Sequence, residues 1–348
     1  MTRTQAAVPS GLPLADLVAF LEDPGAYPAD TGTVEVIETH MAFVFLTGQH
    51  AYKLKKPVRY AYLDFRTPAA RRRSCEAEVR LNRRLAPDVY LGVIALNRDD
   101  TGRLSLGGRG QPVDWLVRMR RLPSARFLDA AMAEGTVSER DLEATAEVLA
   151  AFYRSAPRQP LTLADYGGRL TATLDRAGIR LGRQPELAPR FHAVADALKD
   201  VIDGRPEFLA ARVRDGRIVE GHGDLRPEHV CLTDPPVVID CIEFEPAFRQ
   251  VDPVDELAFL WMECEVAGQG WVGESLGLKV MHRLDDHPPL RLWECYKAVR
   301  AVLRAELALS HLEDVPGEDH DHWRDRAATY LAAAGRHAGL FLDAPLPD

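Results

Sequence analysis

Residues 221–245 read GHGDLRPEHVCLTDPPVVIDCIEFE, and the placement of their polar residues decides how the chain is read. Ile218-Val219 precedes the stretch, while Val230-Cys231-Leu232 and Val237-Val238-Ile239 lie inside it. Each apolar run is short enough for a buried strand bounded by polar loops. Asp224 then falls just past one strand end, His229 where the next strand begins, and Asp240 at the end of the third. Three side chains able to handle protons or metals are thereby carried to the mouths of adjacent strands. Phosphoryl transfer needs such a set: a carboxylate to take the nucleophile's proton, another to hold magnesium, and a neutral ligand beside it. Singly, each residue has a plainer reading as a turn or capping aspartate or a core-edge histidine. The spacing of the whole set is what favours chemistry.

The order His222-Gly223-Asp224, then His229, then an apolar run ending in Asp240 matches the catalytic and metal loops of kinases. The stretch closely resembles the aminoglycoside phosphotransferase-like kinase family, whose signature is His-Gly-Asp-Leu rather than His-Arg-Asp-Leu. Within that family it is most similar to an uncharacterised bacterial branch, sometimes fused to a P-loop kinase domain. The resemblance implies an α+β, bilobal, protein-kinase-like fold, with a small antiparallel-sheet N-lobe bearing one helix and a larger, mainly helical C-lobe. It implies ATP and Mg2+ as cofactors, Asp224 as the base and Asp240 as the metal ligand. His229 stands where the family usually has Asn. Glu243, three residues after Asp240, is a candidate for a further metal contact, with a turn or ion-pair role as the alternative. The family's Asp-Pro…Asp-Leu-Ala run has its counterpart at Asp252-Pro253, which makes Asp252 a candidate brace for the catalytic loop; His222 is a candidate anchor for it.

Outward from this stretch, 348 residues are enough for a large core divided between two lobes. The expected division is a helical extension at 1–29, an N-lobe at 30–118, a hinge at 119–127 and a C-lobe at 128–348. With 46% hydrophobic and 27% charged residues the composition is that of an ordinary globular protein. No apolar run approaches the roughly 18 to 20 residues of a membrane span, and Pro9, Pro13 and Asp16 make the N-terminus a poor signal peptide. Five widely spaced cysteines lack paired metal spacing and read as free thiols of a reducing cytoplasm. The net charge of −9 is uneven: Lys53 to Arg126 holds 18 Lys/Arg against 7 Asp/Glu. A basic segment in an acidic chain suits a polyphosphate ligand. Sparse aromatic interleaving and the lack of a binding motif argue against nucleic acid.

Upstream, residues 13–23 form an amphipathic helix pattern, followed by strand patterns at Thr33–Thr39, Met41–Thr47 and His50–Lys56, the last two joined by a Gly48-Gln49 turn. By resemblance, the first hairpin is a glycine-free lid that brings Thr39 and His40 to the nucleotide. Alternation on the third strand puts Lys53 and Lys55 on one face. The family's Tyr-Lys-Leu run selects Lys53 for the α/β-phosphates, with Lys55 as the alternative and a lysine-protected edge strand as the plain reading. Thr67 and Pro68 open a helix running to about Leu85. On it Glu76 lies between Arg72 and Arg80 on a solvated face, whereas Glu78 lies on the packed face with Cys75, Leu81, Asn82 and Leu85. A packed carboxylate needs a partner, and the strand lysine is the obvious one. Strand patterns at Tyr90–Asn97 and Pro112–Met119 flank a turn-rich insert. By resemblance Met119 to Arg121 form the adenine-binding hinge.

Downstream, Ser138 and Asp141 make a capping box, Pro157–Gln184 reads as less structured, and helices follow at about 189–202 and from Asp252. A last long helix, at about 290–312, carries Lys297, Arg300 and Arg304 on one stripe, either solvated or holding an acidic substrate. Glu318-Asp319-His320-Asp321-His322 reads as a polar loop. The expected function is transfer of the γ-phosphoryl group of ATP to a hydroxyl of a small molecule, with neither nucleic acid nor membrane as partner. A nucleotide-binding regulator and a protein-modifying kinase or nucleotidyltransferase are the alternatives.

Overall fold

Helix α1 (Leu14–Glu22) precedes strands β1 (Glu35–Glu38), β2 (Ala42–Leu46) and β3 (His50–Lys55). A small hairpin, β4 (Arg59–Tyr60) with β5 (Leu63–Asp64), leads to α2 (Pro68–Asn82), then β6 (Tyr90–Arg98), β7 (Leu104–Leu106) and β8 (Gln111–Arg120). The computed structural model describes residues 12–28, 32–204, 206–314 and 320–343. The chain divides into two units, Met1–Ser124 with Val238–Pro246, and Ala125–Val237 with Ala247–Asp348.

In the first unit the strands form an antiparallel sheet in the order β1-β2-β3-β8-β6-β7. The alternation of β3 decides what each face does. Tyr52 and Leu54 join Leu17 and Leu21 of α1, Tyr27, Phe45, Leu96 and Leu116 in one apolar cluster. Leu21, Leu54 and Leu116 are fully buried, each contributing about 1.5–3 kcal/mol. Lys53 and Lys55 point to the opposite face, where α2 brings its packed side. That helix starts as its sequence dictates: Thr67 Oγ1 accepts the Ala70 N–H, with Pro68 in the first turn. Glu76 stays half exposed beside Arg72, whereas Glu78 is wholly buried. The insert between β6 and β8 is more ordered than its turn residues imply. Leu104–Leu106 pair with Leu96–Arg98 as β7, a strand too short to leave a periodic signal.

The second unit contains α3 (Leu128–Ala133), α4 (Glu139–Ser155), α5 (Leu163–Leu181), α6 (Ala188–Gly204) and α7 (Glu207–Arg214). Short strands β9 (Val219–Glu220), β10 (Val230–Cys231), β11 (Val237–Val238, its last residue counted with the first unit) and β12 (Gln250–Val251) follow. Helices α8 (Pro253–Val266), α9 (Gly270–Arg283), α10 (Leu290–Asp314) and α11 (His320–Leu342) complete it. The capping box at Ser138 and Asp141 is present. The stretch expected to be loose is not: Thr162 and Asp165 form a second capping box and open α5, which buries Tyr166, Leu170, Leu174, Ala177 and Leu181. Gly167, Gly168 and Gly178 masked that helix, because glycine lowers helix propensity while tertiary packing overrides it. Among the described residues no helix is long and apolar enough to cross a membrane, and all five cysteines are buried and free.

The cationic stripe of α10 does not face solvent. Lys297 is 1% exposed, 2.8 Å from Glu265 and 3.4 Å from the centroid of the Trp261 ring. Arg300 pairs with both oxygens of Asp255, and Arg304 Nε lies 2.6 Å from Glu263. The acidic positions of α8 supply these partners, information absent from α10 itself. His320 to His322 open α11 instead of lying in a loop; Glu318 and Asp319 lie outside the described residues.

Helix α11 is fastened by His337. Its Nδ1 lies 2.6 Å from Glu294 Oε2 and its Nε2 2.9 Å from Glu265 Oε2, with Lys297 between the same carboxylates. Burial disfavours the imidazolium, but the two carboxylates outweigh it and raise the His337 pKa. A raised histidine pKa stabilises fully below the unfolded value of about 6.5, and the gain fades as pH climbs through the folded value. Replacing His337 by Gln should therefore cost about 3 kcal/mol near pH 6 and progressively less as the pH rises into the alkaline range. Urea unfolding across that range checks it; a cost independent of pH removes the imidazolium from the account.

Candidate active site

The first unit assembles a row of alternating charges. Glu78 sits between the lysines of β3, with Lys53 Nζ 3.0 Å from Oε1 and Lys55 Nζ 2.5 Å from Oε2. Segment Val238–Pro246 supplies both ends: Asp240 Oδ1 lies 2.5 Å from Lys53, and Glu243 Oε1 lies 2.6 Å from Lys55. Ser74 Oγ donates to the same Glu243 oxygen at 2.8 Å. Both lysines are thus partners of Glu78, and Lys53 is the one that also reaches Asp240. The exposure of the side chains rises along the row, from 0% at Glu78 to 44% at Asp240. Burial pushes the lysine pKa values down, but the carboxylates outweigh it and hold both above the ordinary lysine range. Burial likewise opposes the charge on Glu243, yet Lys55 and Lys53 keep its pKa low.

The backbone of the segment is fixed by residues that sequence reading passed over. The Asp240 N–H donates to Tyr90 Oη at 3.1 Å, and the Cys241 N–H to Asn82 Oδ1 at 2.9 Å. Asp240 adopts φ 63°, a left-handed conformation uncommon outside glycine. Such strain persists only where neighbours over-determine it and marks a place to look for function. Asn82 carried a signal, being on the packed face of α2; Tyr90 and Ser74 carried none beyond their strand and helix.

The other nucleotide candidates of this unit lie apart in the sheet. Thr39 is in the β1–β2 turn, where its hydroxyl donates to the Ala42 carbonyl at 3.0 Å, with His40 next to it. Met119 is buried in β8 opposite Ala51. Arg121 follows that strand and bonds the Thr47 carbonyl and Glu35, each at 3.0 Å. The chain passes into the second unit after Ser124.

In the second unit Asp224 belongs to a loop built on glycine. Gly223 has φ 91°, open to glycine at no steric cost. A Cβ on Gly221 would come within 2.6 Å of Glu256 Oε2. The reason for that close approach is the brace itself: Glu256 accepts the N–H groups of His222 (3.1 Å) and Gly223, and the Tyr153 hydroxyl at 2.9 Å. Asp252 is the N-cap of α8, as expected, but it does not brace this loop. Its carboxylate, fully buried, takes Arg212 at 2.7 Å on both oxygens, with Tyr296. The brace comes one helical turn later, on a residue whose buried position no local pattern reveals.

Arg226 clasps Asp224, with Nη2 donating to Oδ2 at 3.0 Å and Nε 2.9 Å from Oδ1. Burial raises the Asp224 pKa, but Arg226 and His229 outweigh it and bring it down to about 2. Pro227–His229 form a 3-10 turn that returns His229 to Asp224. Its Nδ1 is 2.7 Å from the Asp224 carbonyl oxygen, which only accepts, so Nδ1 carries a proton. In the neutral ring Nε2 then holds the lone pair, and Arg226 Nη2 lies 3.3 Å from it. His222 Nδ1 accepts the Asp224 N–H at 3.3 Å. Among the described residues no three His, Cys, Asp or Glu side chains form a metal cluster.

The model of the phosphotransferase enzyme family matches residues 47–276. Uncharacterized proteins of Mycobacterium tuberculosis and Mycobacterium bovis are 35% identical over 290 residues, covering 81% of this chain and 56% of theirs. The chain thus spans about half the length of the curated relatives it matches. Among solved structures, a choline kinase from Cryptosporidium parvum superposes with TM-score 0.57 at 10% identity, over 94% of this chain and 95% of that one. A choline/ethanolamine kinase family protein from Mesorhizobium loti gives 0.53 at 15%, over 92% and 98%. A thermostable mutant of an aminoglycoside phosphotransferase gives 0.52 at 13%, over 88% and 95%. These identities speak for a shared kinase-like fold, an antiparallel-sheet unit followed by a larger helical one. The family match runs from the β2–β3 turn into α9, more than half of the sequence, and the chain belongs to the phosphotransferase enzyme family.

Proposed function

We propose that the protein transfers the γ-phosphoryl group of ATP to a hydroxyl of a small molecule, with magnesium. The observation that carries this reading is Lys53, held 3.0 Å from Glu78 and 2.5 Å from Asp240. An ammonium steadied by one buried carboxylate and facing a second, exposed one is suited to exchange that second partner for phosphate oxygens. Asp240 also fits a magnesium ion, a hard cation that takes one or two carboxylates and completes its shell with water and phosphate. When bound, the ion would neutralise charge developing on the transferred group. Asp224 accepts the acceptor's proton, Arg226 and Glu256 fix its carboxylate and its backbone, and Lys53 orients the α/β-phosphates. Glu78 keeps Lys53 in place. Thr39, His40, Met119 and Arg121 are the proposed surroundings of the nucleotide.

A second reading, a nucleotide-binding regulator, draws on His229. Its ring is engaged with the Asp224 carbonyl and Arg226 where the family usually offers an amide, and imidazole is an unusual partner for magnesium. One experiment separates the readings: ATP labelled at the γ-phosphate, with Mg2+ and a panel of sugars, amino sugars and amino alcohols. Label on a small-molecule hydroxyl is the expected result. Binding of ATP with no consumption across the panel favours the regulator, and label on added protein favours a protein-modifying enzyme.

A further inference from the structure

Strand β3 carries a lysine pair where the proposed chemistry uses one lysine. Lys55 is the less exposed of the two, its side chain 3% accessible against 17% for Lys53. Its ammonium spans Glu78 and Glu243, and Ser74 bonds the Glu243 oxygen that faces it. The two lysines are two residues apart on one strand and so share a face. Asp240 and Glu243, three apart in an irregular segment, each find one of them. The segment is therefore pinned at both carboxylates, once at an accessible end and once at a buried end.

The pins are not equivalent when a nucleotide arrives. In the phosphotransferase reading, on which this inference rests, Lys53 turns its charge from Asp240 to phosphate, and one fastening of the segment is lost. Lys55 has no such freedom, since its ammonium is buried between two carboxylates and leaving either one strands a charge.

We propose that Lys55 is a positioning residue: its pair with Glu243, locked by Ser74, keeps the segment in register so that Asp240 stays presented to the metal. Glu243 acts through the loop and is not itself a metal ligand. Outer partners of this kind change metal affinity by about 10- to 100-fold when removed.

The test is uptake of Mn2+, read by its electron paramagnetic resonance signal, by the full chain with ATP and no acceptor. Lys55→Met and Glu243→Gln should each weaken uptake about tenfold, the double variant should be no worse than either, and ATP binding without metal should change little. Direct ligation by Glu243 makes the opposite prediction for Lys55→Met, because freeing Glu243 from a competing cation tightens metal binding. Unchanged or tighter uptake by folded Lys55→Met therefore overturns the proposal. Circular dichroism and melting report folding. If Lys55→Met does not fold, Ser74→Ala, which leaves every charge in place, must weaken uptake in the same direction, and an unchanged value is equally fatal. Wild-type protein that takes up no Mn2+ with ATP overturns the phosphotransferase reading and this inference together, whereas wild-type uptake with an indifferent Lys55→Met overturns this inference alone.

Discussion

Asp224→Asn should lower turnover by about 10²- to 10⁴-fold, the usual worth of a positioned general base, and leave ATP binding intact. The substitution preserves shape and removes the one property the proposed role needs, an anionic oxygen able to take a proton. It also meets Arg226 with an amide whose nitrogen donates instead of accepting, so one of the two guanidinium approaches to Asp224 is lost. The side chain is 28% exposed, so solvent can fill the lost bond and the melting temperature should stay near that of the wild type. Turnover with the acceptor identified by the label screen is the measurement. Wild-type turnover in a folded Asp224→Asn protein removes Asp224 from the chemistry. The low pKa of Asp224, about 2, fixes the sign of any acid limb: the carboxylate remains charged on acidification until well below neutral.

Glu78→Gln should destabilise the first unit by about 3–5 kcal/mol, the cost of removing one partner from a buried ion pair. One carboxylate there serves two ammonium groups, and its side chain is wholly inaccessible. The amide cannot compensate either charge, and its NH2 end presents donors to one of the two ammonium groups. Glu76→Gln, two residues away, provides the internal control. Its partner Arg72 is half exposed, as is Glu76, and such a surface pair contributes about 0–1 kcal/mol. Urea unfolding of both variants decides the matter. Equal stability of the two would mean that the charge row does not hold the unit together.

These two glutamates also show how much the sequence alone could carry. Helical spacing separated Glu76 from Glu78 correctly, because which face of a helix packs follows from its apolar residues. Alternation on β3 likewise placed both lysines on one face, and the Thr67, Ser138 and Asp252 caps were legible since capping is decided within a few residues. The spacing from His222 to Asp240, with its kinase-like resemblance, was enough to anticipate an antiparallel-sheet unit followed by a helical one.

What escaped depends on partners distant in sequence. Lys297, Arg300 and Arg304 read from sequence as a stripe facing solvent or an acidic substrate, because a helix sequence shows periodicity and not the carboxylates of the helix packed against it. The sequence points to Asp252 as the brace of the His222–Asp224 loop, whereas Glu256 accepts that loop's N–H groups; Asp252 caps α8 and Glu256 lies a turn further on, and only packing tells which one turns toward the glycines. Helix α5 was hidden by its glycines until burial of its apolar stripe outweighed their propensity. Local pattern thus determined the alternating strands and the capped helices, with their faces, since those depend on neighbours within a turn or two of chain. Tertiary structure alone decided which charge meets which, because a buried ammonium or carboxylate takes its partner from whatever the fold brings within about 3 Å, regardless of distance along the chain.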